Sequence, residues 1–345
     1  MKFLILGGTV FVGRHLVEAA LSRGHEVTIF HRGVHEASFS RPVEQLKGNR
    51  TDDLAALRGR SWDVVIDTNG YVPSRVQATA QLLADSVNQY IFISSISVYQ
   101  DFNVLGMNES APVGTLTEEQ VREAEQLIPA RNGVIALTYG PMYGPLKALC
   151  EQVLEETMPG RVLNIRAGLI VGPYDYSDRF TYWPWRVAQG GEMLAPGRPE
   201  RTIQLIDVRD LAEWIIRMAE TERNGIYNAN GPASPLTMQD LLETCKIVSE
   251  KQGTFTWIND SFLLKKGVEP WSQMPLWIPD EEEGLKGFQA FDVQKALATG
   301  LIFRPLAKTV QDTFTWDAQR SPNEKRRAGL EPEQERQILE AWHRQ

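Results

Sequence analysis

The sequence predicts an α/β protein built around a doubly wound parallel sheet, with a smaller region following it. Two observations carry that expectation. Short apolar runs alternate with longer amphipathic stretches through the first half, as parallel strands joined by crossover helices do. The runs are also apolar enough to need cover on both faces.

The elements follow in order. "KFLIL" (2–6) reads as the first strand, and "VGRHLVEAALSRG" as the helix after it, with Gly24 as a stop signal. "EVTIFH" (26–31), "DVVID" (63–67), "QYIFISS" (89–95) and "RVLNIR" (161–166) read as further strands. Between them "SRVQATAQLLADSV" and "YGPLKALCEQVLEETM" have helical periodicity. These elements define a first domain over 1–170. Past Gly172 and Pro173, "GPYDYSDRFTYWPWRVAQGGEMLAPGRPE" is rich in aromatics, Gly and Pro, which suits a loop-and-helix substrate lid better than another βαβ unit. "RTIQLIDVRDLAEWIIRMAE" then reads as strand and helix and "GIYNAN" as strand, so a segment near 202–228 returns to the first domain. The residues 171–201 and 229–345 are left as the substrate-binding cap, with Thr237 and Asp240 spaced as a helix N-cap. Trp257, Trp271 and Trp277 stand among prolines in that cap.

With 345 residues and 42% hydrophobic content the chain can bury a sizeable core. The net charge of −8 offers no field for a phosphate backbone, so nucleic acid is not an expected partner, and the run "EKRR" at 324–327 reads as a solvated face. Cys150 and Cys245 form neither a disulfide framework nor a metal spacing, which fits a reducing, cytoplasmic setting. The first apolar stretch is broken by glycine and lacks a cleavage pattern, so neither a signal peptide nor a membrane span is expected.

In "LILGGTVFVGRHL", Gly7, Gly8 and Gly13 lie between a strand and a helix start. Unpaired N–H groups and a partial positive charge gather there, and glycines let a pyrophosphate approach the backbone. Gly7, Thr9, Phe11, Val12 and Gly13 are therefore expected to hold a dinucleotide cofactor, with Arg32, Asn49, Arg50 and Asn69 completing the set. The middle glycine of a three-glycine fingerprint falls at Val10, whose side chain crowds the closest approach. The second strand runs into His31 and Arg32 where a site preferring NAD carries an acid, and an arginine there can pair with a 2′-phosphate. NADP is thus expected to bind at least as well as NAD. His31 and His35 lack carboxylate or cysteine partners, and no metal site is expected.

Tyr143 and Lys147, four positions apart, share one helical face. An adjacent ammonium favours the phenolate, so such a pair can exchange a proton with an alcohol or carbonyl. Pro145 fits the first turn of a helix that begins near Tyr143. Ser94 and Ser95 end a strand of the parallel sheet, at the edge where open α/β sheets bind ligands.

The ordered set "GGTVFVG", "SSISVY", "YGPLK", "RAGLIVGP", "IDVRDLA" and "FDVQKALATGLIFRPL" resembles the extended short-chain dehydrogenase/reductase superfamily in its epimerase/dehydratase branch, over nearly the whole chain. The resemblance implies a Rossmann domain with a smaller substrate domain, a nicotinamide cofactor (NAD or NADP), and a catalytic set of Ser95, Tyr143 and Lys147, with Ser94 as the alternative serine. Tyr139 lacks a lysine partner and is assigned to packing or the pocket wall. Where 4,6-dehydratases carry an Asp–Glu pair, this chain has Ile96 and Ser97, which disfavours that dehydration. The diphosphate-binding arginine of nucleotide-sugar epimerases is matched by Ile203, with Arg198 and Arg201 nearby as substitutes. The segment 102–127 lengthens the usual spacing between serine and tyrosine, and either folds over the pocket or lies on the surface.

Two functions follow as expectations. The first is an NAD(P)-dependent oxidoreductase or epimerase acting on a hydroxyl or carbonyl carbon of a small molecule, in a chain whose relatives commonly dimerise through the Tyr–Lys helix. The second is a binding module on a retained fold, because "GGTVFVG" and "HRG" resemble the atypical branch that includes chloroplast stem-loop RNA-binding proteins. Cys150 is expected to be a buried thiol, "RFTYWPWR" to pack in core and lid, and Asp207 and Asp210 to begin a helix.

Overall fold

A computed structural model describes residues 1–128, 135–280, 282, 284–321 and 324–345. Its centre is one seven-stranded sheet, built from β1 (Lys2–Leu6), β2 (Glu26–His31), β3 (Glu44–Lys47), β4 (Trp62–Asp67), β5 (Val87–Ser95), β6 (Val162–Ala167) and β7 (Gly225–Ala229). The order is β7-β6-β5-β4-β1-β2-β3, and every pairing is parallel. From β1 the chain winds outward in one direction through β2 and β3, then returns to β4 and winds the other way. The loops after β1 and β4 therefore part at the switch point, where Leu6 pairs with Asp67, and a crevice opens between them.

Alternation along the strands decides which helix covers which face. Phe3, Ile5 and Ile29 point to one side, where α1 (Phe11–Ser22) and α4 (Val208–Glu220) bring Leu16, Val17, Leu211 and Ile215 onto them. Leu4, Leu6, Val65 and Phe92 point to the other, under α2 (Pro73–Leu83) and α3 (Tyr143–Thr157), which contribute Val76, Leu83, Cys150 and Leu154. Asp207 caps α4 by accepting the Arg209 N–H at 2.8 Å.

The departures from expectation have physical reasons. β3, "EQLK", has no apolar run because only Leu46 is buried; its neighbour's backbone ladder holds it at the sheet edge. The stretch 172–200 is not only loop and helix. After the helix Tyr182–Ala188, Gly191–Pro196 forms a strand that pairs in parallel with Gly253–Ile258, which the chain reaches only after returning through α4 and β7 and then the helix Met238–Ser249; flanking Gly and Pro mask its period. The strand expected ahead of α4 shrinks to two-residue pairings at Thr202–Ile203 and Ile206–Asp207.

A second apolar core lies in this later region. Phe180, Tyr182 and Trp183 of "RFTYWPWR" are fully buried in it with Trp277 and Leu241. Thr237 and Asp240 form a reciprocal capping box on the helix behind them. The segment 102–127 ends in the helix Glu118–Gln126, opened by a second capping box between Thr117 and Gln120. Farther back, Glu109 Oε1 accepts the Asn228 N–H of β7 at 2.7 Å, and Lys295 Nζ donates to Ile226 O of the same strand at 2.6 Å. Among the described residues no helix is long and apolar enough to cross a membrane.

Candidate active site

The loop after β1 can be built only with glycine. Gly7 and Gly8 have φ of +112° and +98°, and a Cβ on Gly7 would meet Thr68 Oγ1 at 2.4 Å. A Cβ on Gly13 would lie 2.5 Å from the Gly8 nitrogen, so the first turn of α1 sits directly on the loop. Phe11 opens that turn at φ +31°, a strained backbone for a side chain of its size. The turn holds no acidic residue and Val10 supplies no side-chain cap, so its N–H groups face the crevice without an internal partner. A cradle of this kind fits a pyrophosphate.

The crevice is a cavity of about 800 Å³, a size suited to a dinucleotide. All of Gly7, Thr9, Phe11, Val12, Gly13, Arg32, Asn49, Arg50 and Asn69 lie on its wall, with exposed Val10 among them. Arg32 is exposed at the end of β2. Arg50, also on that wall, is committed to a second task. Its guanidinium grips buried Asp67 through both carboxylate oxygens and donates to Asn69 Oδ1 at 3.2 Å, while Tyr90 donates its hydroxyl to Asp67 at 2.7 Å. Burial opposes ionisation of Asp67, yet the Arg50 charge prevails and holds the carboxyl below its usual range. The pair thus fixes the cavity floor and orients Asn69. Among the described residues no group of three or more His, Cys, Asp and Glu could hold a metal.

The two serines at the end of β5 part company. Ser94 is buried and donates to Glu151 Oε1 at 2.5 Å, and Glu151 in turn pairs with Arg166 at 2.7 Å, so this hydroxyl belongs to the core. Ser95 is half-buried; its Oγ accepts the Ser97 N–H at 3.1 Å and lies within reach of the Tyr143 phenol. Gly144 explains how Tyr143 comes so close. A Cβ there would stand 1.8 Å from Ser97 O, so only glycine lets α3 begin against this turn, while the Pro145 ring rests near Gly114.

Lys147 is 2% exposed and donates to Gly70 O at 2.7 Å and Ile93 O at 2.6 Å, with its ammonium 3.9 Å from the centre of the Phe92 ring. Burial pushes it down to about 8. Tyr143 differs from the sequence expectation. Burial raises the phenol, and the Ser95 hydroxyl and Arg179 charge offset that only in part. The buried ammonium is turned to carbonyl oxygens, and desolvation decides the titration of both groups.

A stability prediction follows from Lys147. Unfolded, a lysine titrates near ~10.4. The folded chain releases this proton from about pH 8, so the penalty for burying the charge is in force below that pH and is relieved as pH rises toward ~10.4. Lys147→Met should therefore flatten the rise in urea midpoint between about pH 7.5 and about pH 9.5 relative to the parent chain, as followed by circular dichroism.

The model of the NAD dependent epimerase/dehydratase family matches residues 3–229. The chain belongs to that family. It is 27% identical over 263 residues to the chloroplast stem-loop binding protein of 41 kDa b of Arabidopsis thaliana, a match covering 71% of this chain and 62% of that relative's length. Its fold is that of Rossmann-type epimerases. The UDP-glucuronic acid 4-epimerase of Bacillus cereus, solved in complex with NAD, superposes with a TM-score of 0.63 at 16% identity over 94% of this chain and 99% of that one. A human epimerase family protein solved with NADPH gives 0.60 at 18% identity, over 91% and 99%.

Tyr71, which sequence reasoning passed over, lies on the cavity wall, whereas Ser95, Tyr143 and Lys147 do not. Its ring is 6.4 Å from that of Tyr143 and 5.1 Å from the Lys147 ammonium, so one aromatic side chain stands between the cavity and these two residues. Its only signal in the sequence is its place just after "DTNG". Tyr139 and Tyr176 join the same wall, as do Leu127 and Ile128, so the segment 102–127 reaches the pocket at its far end. Arg201 is bound to buried Asp260 and Arg198 to Asp280, which leaves neither as a ready substitute for a diphosphate-binding arginine.

Proposed function

We propose that the protein is an NAD(P)-dependent oxidoreductase or epimerase acting on a hydroxyl or carbonyl carbon of a small molecule such as a sugar. The observation that carries this reading is the glycine-walled cavity of about 800 Å³ with Tyr71 on its wall, whose ring neighbours Tyr143 and Lys147. A bound nicotinamide dinucleotide supplies hydride transfer. The open N–H groups at the start of α1 receive its pyrophosphate, and Arg32 meets a 2′-phosphate. Lys147, with two of its three donors on Gly70 O and Ile93 O, keeps one for a ribose hydroxyl. Ser95 orients the substrate oxygen. Tyr143, held protonated by burial, gives its phenolic proton to a substrate carbonyl and takes one back from the alcohol in the reverse direction. The region 171–201 and 229–345, with its own core, supplies the substrate side.

Two thiols kept in the reduced state accord with a cytoplasmic setting: both are buried, and burial pushes Cys150 up to about 12. A nucleic-acid reading is raised by the name of the Arabidopsis relative; against it, Arg326 of the basic run is committed to Asp317, and the chain carries a net charge of −8.

Calorimetric titration with NADP and NAD tests the proposal. Both should bind, NADP at least as tightly, and Arg32→Ala should weaken NADP by about tenfold while sparing NAD. An NAD affinity more than about tenfold above that for NADP overturns the cofactor preference, and failure of both to bind overturns the reading itself.

A further inference from the structure

We propose that Tyr71 and Phe92 are positioning residues whose rings take the place of a counter-ion for Lys147, holding its side chain as an ammonium beside the dinucleotide cavity. This deepens the proposed function and rests on it. A buried lysine ordinarily either meets a carboxylate or gives up its proton. Lys147 meets none: among the described residues its Nζ bonds only to Gly70 O and Ile93 O. The acids whose charge reaches it are committed elsewhere, Asp67 to Arg50 and Tyr90, and Glu151 to Arg166 and Ser94. The Arg50 charge disfavours a second cation, and the Cys150 thiol and the Tyr71 and Tyr143 phenols, all raised by burial, are uncharged at neutral pH. What faces the ammonium is aromatic. It lies 3.9 Å from the centre of the Phe92 ring and 5.1 Å from that of Tyr71, and the negative face of a ring attracts a cation within about 6 Å.

The end of β4, "DTNGYVP" (67–73), builds most of this nest. Gly70 lends its carbonyl, and a Cβ on it would stand 2.6 Å from Phe92 Cε2, so only glycine lets that ring approach. Tyr71 follows at once, and Val72 and Pro73 open α2 on its far side, which fixes the backbone. Its ring is stacked on that of Tyr139 at 6.4 Å and 24°. Phe92 and Ile93 are consecutive on β5, so one supplies a ring and the next a carbonyl.

The charge matters because of what it leaves over. An ammonium has three N–H donors and an amine two. With two donors already on carbonyls, only the charged form keeps one for a cofactor hydroxyl. Removing a ring should therefore lower the pH at which that donor is lost, which is about 8 with both rings in place. Tyr71 is half-buried on the cavity wall and Phe92 is fully buried, which makes Tyr71 the side chain to vary.

The test uses the full chain, with its lysines labelled at the ε carbon with carbon-13 and titrated by NMR; the Lys147 signal is the one missing from Lys147→Met. Tyr71→Leu should lower the Lys147 midpoint by about half a unit to one unit, and Tyr71→Phe, which keeps the ring, should stay within about 0.2 of the parent. Trifluorophenylalanine at position 71 keeps the ring's shape while weakening its negative face, so its midpoint should lie below that of Tyr71→Phe even if the leucine variant does not fold. Calorimetry supplies the second readout: between about pH 6.5 and about pH 8 the NADP Kd of Tyr71→Leu should rise about threefold more than the parent's. A Lys147 midpoint that ignores the ring, an equal fall in Tyr71→Phe, or a Kd that follows the parent's across this range overturns the proposal. Failure of the parent chain to bind NADP, beside a midpoint that depends on the ring, would uphold the rings as counter-ion and count against the dinucleotide reading instead.

Discussion

Tyr143→Phe is expected to lower kcat/KM by about 10²- to 10⁴-fold while leaving the dinucleotide Kd within about twofold of the parent value. The ring is retained, so its packing against Tyr71 persists, and the Tyr143 ring is not part of the cavity wall. Only the phenolic oxygen is lost, and with it the proton that the reaction moves. Because burial raises that phenol, the protonated form dominates across neutral pH. Steady-state kinetics together with a dinucleotide titration on the same preparation check the point. Turnover within about threefold of the parent would remove Tyr143 from the chemistry.

Gly144→Ala should have the second large effect, and by a different route. The added methyl would stand 1.8 Å from Ser97 O, a backbone oxygen that cannot rotate aside, so either α3 or the turn after β5 must move. Overpacking of this kind costs about 1–3 kcal/mol or more. The displacement falls between Ser95 and Tyr143, so activity should drop even in the fraction that remains folded. Denaturant unfolding and kinetics on the folded protein separate the two losses, and a variant unchanged in both would show that this close approach does not exist in solution.

The sheet was legible because its strands are buried on both faces and therefore written in uninterrupted apolar residues. β1 and β2 fall where those runs fall, and β5 extends only two residues ahead of its run. β3 was invisible because a single buried leucine leaves no pattern, and its existence depends on the ladder from β2. At the site, the glycine loop after β1, Arg32 after β2 and Asn69 after β4 were readable because topology sends those strand ends to one crevice, whereas Asn49 and Arg50 follow the strand that left no pattern. What they do there was less readable. The commitment of Arg50 to Asp67, and the separation of Ser94 from Ser95 by the Glu151 contact, depend on partners remote in sequence. The titration of Tyr143 differs from expectation for the same reason: spacing reveals neighbours on a helix, whereas desolvation depends on everything packed around the phenol.

The contacts on β7 bear on how the molecule behaves in a crowded solution. An outermost strand is a template onto which another chain can zip, the first step toward fibres and swapped assemblies. Here a carboxylate from the inserted segment holds one outward amide and a lysine holds a neighbouring carbonyl, so an incoming strand meets occupied groups and two charges. The insertion thus protects the sheet against intermolecular strand addition at that margin, and a shortened chain lacking it would uncover a sticky edge.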